Sequence, residues 1–126
     1  MIKKIMPGAR CGRVKVPASQ SYAHRLLIGA AHTEQEQHIS CEGLSKDIKA
    51  TIECLKGLGA RITADSSVIT VSGFKPDKGE GYADLYCGES GSTLRFLIPV
   101  VGALGVNAVF HMEGKLSDRP VQVLTD

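Results

Sequence analysis

One short pattern occurs twice in this chain, each time at the start of an apolar, helix-like run. "SYAHR", Ser21 to Arg25, follows Pro17 and opens "LLIGAA". About seventy residues later "GSTLR", Gly91 to Arg95, opens "FLIPVVGAL". Both runs lead to a strand-like segment that closes in a Glu-Gly pair, Glu42-Gly43 in the first copy and Glu113-Gly114 in the second. The spacing from arginine to Glu-Gly differs by only one residue between copies. Such a recurrence predicts an α/β unit of strand, helix, strand, helix and hairpin, used more than once. The first copy reads as complete and the second stops at its second helix, so the chain is expected to be a portion of a longer protein.

Local signals place the elements. "IKKIMPGARCGRVKVP" alternates polar and apolar around Pro7-Gly8 and predicts an N-terminal hairpin over residues 1–16. Either Ser19 or Ser21 can cap the first helix, which should run to about Thr33. "HISCEG" reads as a strand. The second helix has the clearest signals. Ser45 caps it, Asp47 lies in its first turn, and Ile48, Ile52, Leu55 and Leu58 form one stripe ending at Gly59. "RITADSSVITVSG" predicts a hairpin around Asp65-Ser66-Ser67, and "KPDKGEG" a polar loop. "ADLYC" is a strand, followed by a helix from Ser90 to Leu104 with Pro99 inside it, and by a strand in "NAVFHMEG". Pro120 suits the first position of a further helix. The first two helices are expected to pack on a mixed sheet made of residues 38–41, 61–63 and 68–71.

Composition narrows the function classes. Aromatics are 5% of the chain with no Trp, and the net charge is +2, which supports neither a base-stacking platform nor a polyanion partner. No apolar run reaches membrane-spanning length, and the basic N-terminus lacks the continuous apolar core of a signal peptide. Cys11, Cys41, Cys54 and Cys87 are unevenly spaced without a CxxC pair. They therefore read as reduced thiols of a cytoplasmic protein, several of them buried.

Helix starts that carry free N–H groups, hydroxyls and arginine attract phosphate or carboxylate. Ser19, Ser21 and Arg25 supply one such start. Gly88, Ser90, Gly91 and Ser92 supply a second, where glycine admits an anion close to the backbone. Arg119, just before Pro120, supplies a third. Three such starts suit a substrate with more than one anionic group. Each also has a plainer role: the serines as caps, the glycines as turn residues, Arg25 and Arg95 as surface arginines, Asp47 as a first-turn acid. His24, His32, His38 and His111 have no metal-ligand spacing and read as ordinary histidines. "GESGST" lacks the Gly-Lys-Ser/Thr ending of a Walker loop. A non-catalytic anion- or nucleic-acid-binding module would share these features, and salt-dependent oligonucleotide binding compared with binding of a small phosphorylated substrate would separate it from an enzyme.

With these motifs in order, the chain resembles the enolpyruvyl transferases. "VPASQSYAHR" resembles the family's P-x-S-K-S-x-x-x-R opening, and "LSKDIKATIECLKGLGA" its S-x-D helix. "CGESGSTLR" resembles its G-x-[SA]-G-[ST]-x-x-R loop, and "LSDRPVQVL" its Arg-Pro segment. The resemblance implies an inside-out α/β barrel built from βαβαββ units, here one unit and part of a second. Residues 1–17 would belong to the other domain and residues 18–126 to an incomplete substrate domain. It implies transfer of enolpyruvyl from phosphoenolpyruvate to the 5-hydroxyl of shikimate-3-phosphate, with release of phosphate, on the route to aromatic amino acids. No cofactor or metal is implied. The implied partners are small anionic substrates, not nucleic acid or membrane, and the parent is expected to be a cytoplasmic monomer. Gln20, Ser21 and Arg25 would hold shikimate-3-phosphate. Gln20, Gly91 and Arg119 would hold phosphoenolpyruvate, with Ser92 and Arg95 shaping the loop. The family has Lys where this chain has Gln20, so a charge that balances the anions is absent. No residue of the chain matches the family's proton-transfer groups, so the chain alone is expected to be inactive. The alternative within the family, the branch acting on UDP-N-acetylglucosamine, has Lys-Asn where this chain has Gln20-Ser21. That branch also uses a cysteine in a later loop, where this chain has "EGKLSDRP".

Overall fold

The computed structural model describes residues 1–73 and 81–124. Three helices and five strands follow in the order α1 (Gln20–Ala31), β1 (Gln37–Ser40), α2 (Lys46–Gly57), β2 (Arg61–Ala64), β3 (Val68–Ser72), β4 (Ala83–Gly88), α3 (Gly91–Leu104) and β5 (Ala108–Met112). A 3-10 turn over Gln122–Leu124 comes last. Residues 75–80 of the expected polar loop lie outside the described residues.

The strands form two sheets rather than one. β1, β3 and β2 make an antiparallel sheet with β3 in the centre. β4 and β5 pair in parallel, joined by α3 as crossover. The expected mixed sheet is thus wholly antiparallel, because each neighbour of β3 runs against it. α2 is the central helix and packs on α1, α3, β2 and β4. The sheets bury one face each. Ile69 and Val71 of β3 and Leu85 and Cys87 of β4 are inaccessible to solvent, while Asp84 and Tyr86 of β4 are exposed. Leu27, Ile48, Leu55 and Leu97 fill the space between the helices and the sheets. Each fully buried aliphatic side chain contributes about 1.5–3 kcal/mol.

The cap read in the sequence is formed at α2. The Ser45 hydroxyl accepts from the Ile48 N–H at 3.3 Å, and Asp47 occupies the first turn. Gly59 follows the helix at φ 98°. Ser45 Oγ also accepts from Gln20 Nε2 at 2.9 Å, which ties the start of α1 to the start of α2. Ser45→Ala is expected to lower stability by about 1 kcal/mol, read as an earlier urea midpoint at unchanged slope.

Three expectations are corrected. Residues 1–19 form no strand, so the N-terminal hairpin is absent and no strand precedes α1. The alternating pattern is there, but these side chains are almost all exposed and no sheet edge pairs with them. Lys15 makes an ion pair with Glu42, both exposed, and such pairs hold a segment only weakly. α1 ends at Ala31, short of Thr33, whose hydroxyl instead donates to Ala30 O at 2.8 Å. Pro120 opens no α-helix among the described residues, only the short 3-10 turn, so Arg119 does not lie at an α-helix start.

Candidate functional site

The three helices begin in different ways. Ser45 caps α2, and Ser90 caps α3 by accepting from the Thr93 N–H at 3.3 Å. Ser19 occupies the N-cap position of α1 but makes no capping bond with its side chain, and Ser21 lies exposed in the first turn. The amide groups at the start of α1 are therefore not consumed by Ser19, and this end keeps its attraction for an anion.

Gly88 turns the chain out of β4 at φ 55°, a conformation that favours glycine, so its role is in the turn. Gly91 begins α3, and its bare Cα lies against Arg119. A Cβ placed there would be 2.7 Å from Arg119 Nη1 and 3.7 Å from Leu116 Cδ1. Leu116 is buried and anchors the turn that delivers Arg119, whose N–H donates to Leu116 O at 3.1 Å. Two motifs far apart in the chain thus place a guanidinium on the first residue of α3.

The other arginines are placed differently. Arg25 donates from Nη1 to Ser21 O at 2.8 Å, and its guanidinium stacks 5.0 Å from the centre of the Phe96 ring. Arg25 and Arg119 therefore both lie against α3, Arg25 at Phe96 and Arg119 at Gly91. Arg95 donates to Pro120 O at 3.4 Å and so steadies the segment after Arg119. Ser92 is exposed beside Gly91. Gln20 has its amide engaged with Ser45 rather than standing free. A cleft of about 260 Å³ at the starts of α2 and α3 is lined by Lys46, Asp47, Gly88, Glu89, Ser90 and Glu113, among others. A larger one of about 500 Å³ lies between α2 and β2, and none of the motif arginines or glycines lines it.

One group was not legible as functional. His24 is buried at 1% exposure, with Nδ1 2.7 Å from Thr51 Oγ1. Thr51 Oγ1 is 2.8 Å from Thr93 Oγ1, which donates to Ser90 Oγ at 2.7 Å. The available signal was Thr51 itself, a hydroxyl set within the apolar stripe of α2. Burial pushes His24 below the ordinary imidazole range; Asp47 pulls it back up and Arg25 depresses it further. An unfolded histidine takes its proton near pH ~6.5, whereas the folded imidazole takes it at lower pH. Between the two values the unfolded chain binds more protons, so stability falls as pH falls through that window and is unaffected by His24 above it. The contribution of His24 to the thermal midpoint should be level above pH ~6.5 and decline below it. His24→Asn should flatten the first part of that decline. An identical decline in the variant would assign it to other groups.

Cys41, Cys54 and Cys87 are buried and unpaired by disulfides, and Cys11 is exposed. Cys54 and Cys87 Sγ atoms lie 3.9 Å apart. The hydrogen bond to Cys87, reinforced by burial, holds the Cys54 thiol well above its ordinary range. Among the described residues no helix is long and apolar enough to cross a membrane, and no group of three metal-ligating side chains gathers.

Helices packed inward with sheets outside them, with Arg119 brought against the first residue of α3, define an inside-out α/β protein. Residues 6–126 match the family model of EPSP synthase (3-phosphoshikimate 1-carboxyvinyltransferase), and the chain belongs to that family. It is 40% identical over 115 residues to the 3-phosphoshikimate 1-carboxyvinyltransferase of Clostridium kluyveri, covering 91% of this chain and 27% of that protein. It is 42% identical to the protein of the same name from Clostridium acetobutylicum, covering 94% of this chain and 28% of that one. The fold matches the crystal structure of EPSP synthase from Acinetobacter baumannii with a TM-score of 0.74 at 25% identity, over 88% of this chain and 25% of that one. The chain thus spans little more than a quarter of the length of these relatives.

Proposed function

We propose that this chain is the first substrate-binding portion of an enzyme that transfers enolpyruvyl from phosphoenolpyruvate to the 5-hydroxyl of shikimate-3-phosphate. The observation that carries the reading is the packing of Arg119 on the bare Cα of Gly91. A planar guanidinium at the start of a helix is suited to a phosphate or carboxylate oxygen pair. Phosphoenolpyruvate takes this position, with Ser92 and Arg95 shaping the loop. Ser21, Arg25 and Gln20 hold shikimate-3-phosphate at the open start of α1, and Gln20 also faces phosphoenolpyruvate as a neutral donor. Both ligands are anions, which suits the cationic character of these two helix starts. Residues 1–17, exposed and in no strand here, belong to the sheet of a second domain that closes over the site. The parent enzyme acts as a monomer in the cytoplasm on small anions.

Turnover requires proton-transfer groups that match no residue of this chain, so the chain alone binds without reacting. The test is titration of the ¹⁵N-labelled chain. Shikimate-3-phosphate should move the Ser21 and Arg25 resonances, and phosphoenolpyruvate those of Gly91 and Arg119. Phosphate release from the mixed substrates should stay at background. Shifts confined to other residues, or sustained turnover, would overturn the reading.

A further inference from the structure

Among the described residues, His24 Nε2 is the buried side-chain polar atom without a hydrogen-bond partner. Its other ring nitrogen begins a closed line of hydroxyls: Thr51, Thr93, Ser90, at 2.7, 2.8 and 2.7 Å in turn. Thr51 and Thr93 are inaccessible to solvent and Ser90 is 2% exposed. The line joins α1, α2 and the cap of α3, and it ends one residue before Gly91.

Each hydroxyl has one proton, so the line runs in one direction when Thr93 spends its proton within it. In one arrangement Nδ1 carries the imidazole proton and donates to Thr51. Thr51 then donates to Thr93, and Thr93 to Ser90. Ser90 Oγ accepts from both the amide and the hydroxyl of Thr93, and keeps its own proton outside the line. In the reverse arrangement Ser90 donates inward and Thr51 donates to Nδ1, which forces the imidazole proton onto Nε2. That would bury an N–H with nothing to accept it. Phe96, whose ring centre is 6.1 Å from that of the imidazole, offers no lone pair. An orphaned buried N–H is the rarer and costlier state than an unused acceptor. The carbonyl of Asp47 competes for the Thr93 proton, but at 3.3 Å against 2.7 Å for Ser90. The charged groups near the ring are Asp47 and Arg25.

We infer that His24 is a positioning residue: its Nδ1–H form fixes the direction of the Thr51–Thr93–Ser90 hydroxyl line and thereby orients the Ser90 hydroxyl beside Gly91. His24 lies between Ser21 and Arg25 in the sequence, so the same ring ties the α1 site to the α3 site. This extends the proposed function, because it takes the Gly91 turn as the place where an anionic oxygen is received.

The tautomer is read directly by ¹⁵N NMR of the histidine-labelled chain above neutral pH. The expected form is Nδ1–H, the reverse of the preference of free imidazole side chains in water. Thr51→Val, which keeps the shape and removes the hydroxyl, should displace the Ser90 and Gly91 amide resonances and abolish the single tautomer. Phosphoenolpyruvate affinity should fall about five- to tenfold in Thr51→Val and in His24→Leu. His24→Asn, whose amide nitrogen can stand where Nδ1 stands, should restore it. An Nε2–H tautomer in the unmodified chain overturns the inference without any variant. So does an unmoved Gly91 amide in folded Thr51→Val. If the unmodified chain fails to bind phosphoenolpyruvate, the proposed function falls, while the tautomer and the Gly91 amide still decide the hydroxyl line.

Discussion

Gln20→Lys is expected to tighten the binding of both anions at the start of α1. The gain should be about tenfold in the chain by itself and about a hundredfold where a second domain excludes water. The difference follows from exposure. Gln20 lies at the surface of this chain, and charge attraction there is weakened by solvent and salt. The substitution also releases Ser45 from the Gln20 amide. Ser45 keeps its bond to the Ile48 N–H, so stability should change by no more than about 0.5 kcal/mol. Calorimetric titration with shikimate-3-phosphate at low and high salt checks both parts. The lysine variant should bind more tightly, and its advantage should shrink as salt rises. Equal affinities at low salt would mean that Ser21, Arg25 and the open helix start suffice, and that the neutral side chain is no handicap.

The helices were legible because their signals are local. Ser45, Asp47 and the stripe from Ile48 to Leu58 lie within one stretch of chain, and each of these features is present in α2. The hairpin of β2 and β3 was equally local. What required partners was read less well. Residues 1–16 alternate like a strand pair, yet strand pairing needs an edge to pair with, and no edge takes them in this chain. The direction of β1 relative to β2 and β3 is set by how α1 and α2 return the chain, which no single segment records. Pro120 marks a helix start in many chains, but a start propagates only if residues follow to pack, and here a 3-10 turn forms.

The candidate site divides in the same way. The recurrence of a helix start with arginine singled out Gly91, Arg95 and Arg25 from sequence. It did not tell which arginine would meet which helix. Arg95 reaches away to Pro120 O, and Arg119 covers Gly91. His24 read as one ordinary histidine among four, because its role depends on hydroxyls contributed by two other helices.

Gly91→Ala separates the geometry of the site from the stability of the fold. The new methyl group would meet Arg119 Nη1 at 2.7 Å, the far end of a flexible side chain, so the guanidinium swings away and the helix itself is undisturbed. Gly91 is the first residue of α3 and has no left-handed φ to lose. Alanine is the better helix former by up to about 1 kcal/mol, so the variant should be at least as stable as the parent. Phosphoenolpyruvate binding should nevertheless weaken about ten- to a hundredfold, because a charged contact is displaced and the backbone N–H groups are screened by the methyl. Arg119→Ala should produce a similar loss by removing the same contact, and the two changes together should cost little more than either alone. Shikimate-3-phosphate binding at α1 should be unaffected by both. Additive losses in the double variant would place Arg119 and Gly91 in separate roles. An unchanged phosphoenolpyruvate affinity in a folded Gly91→Ala chain would remove the close approach of the anion to the backbone, and with it the reason for a glycine at the head of α3.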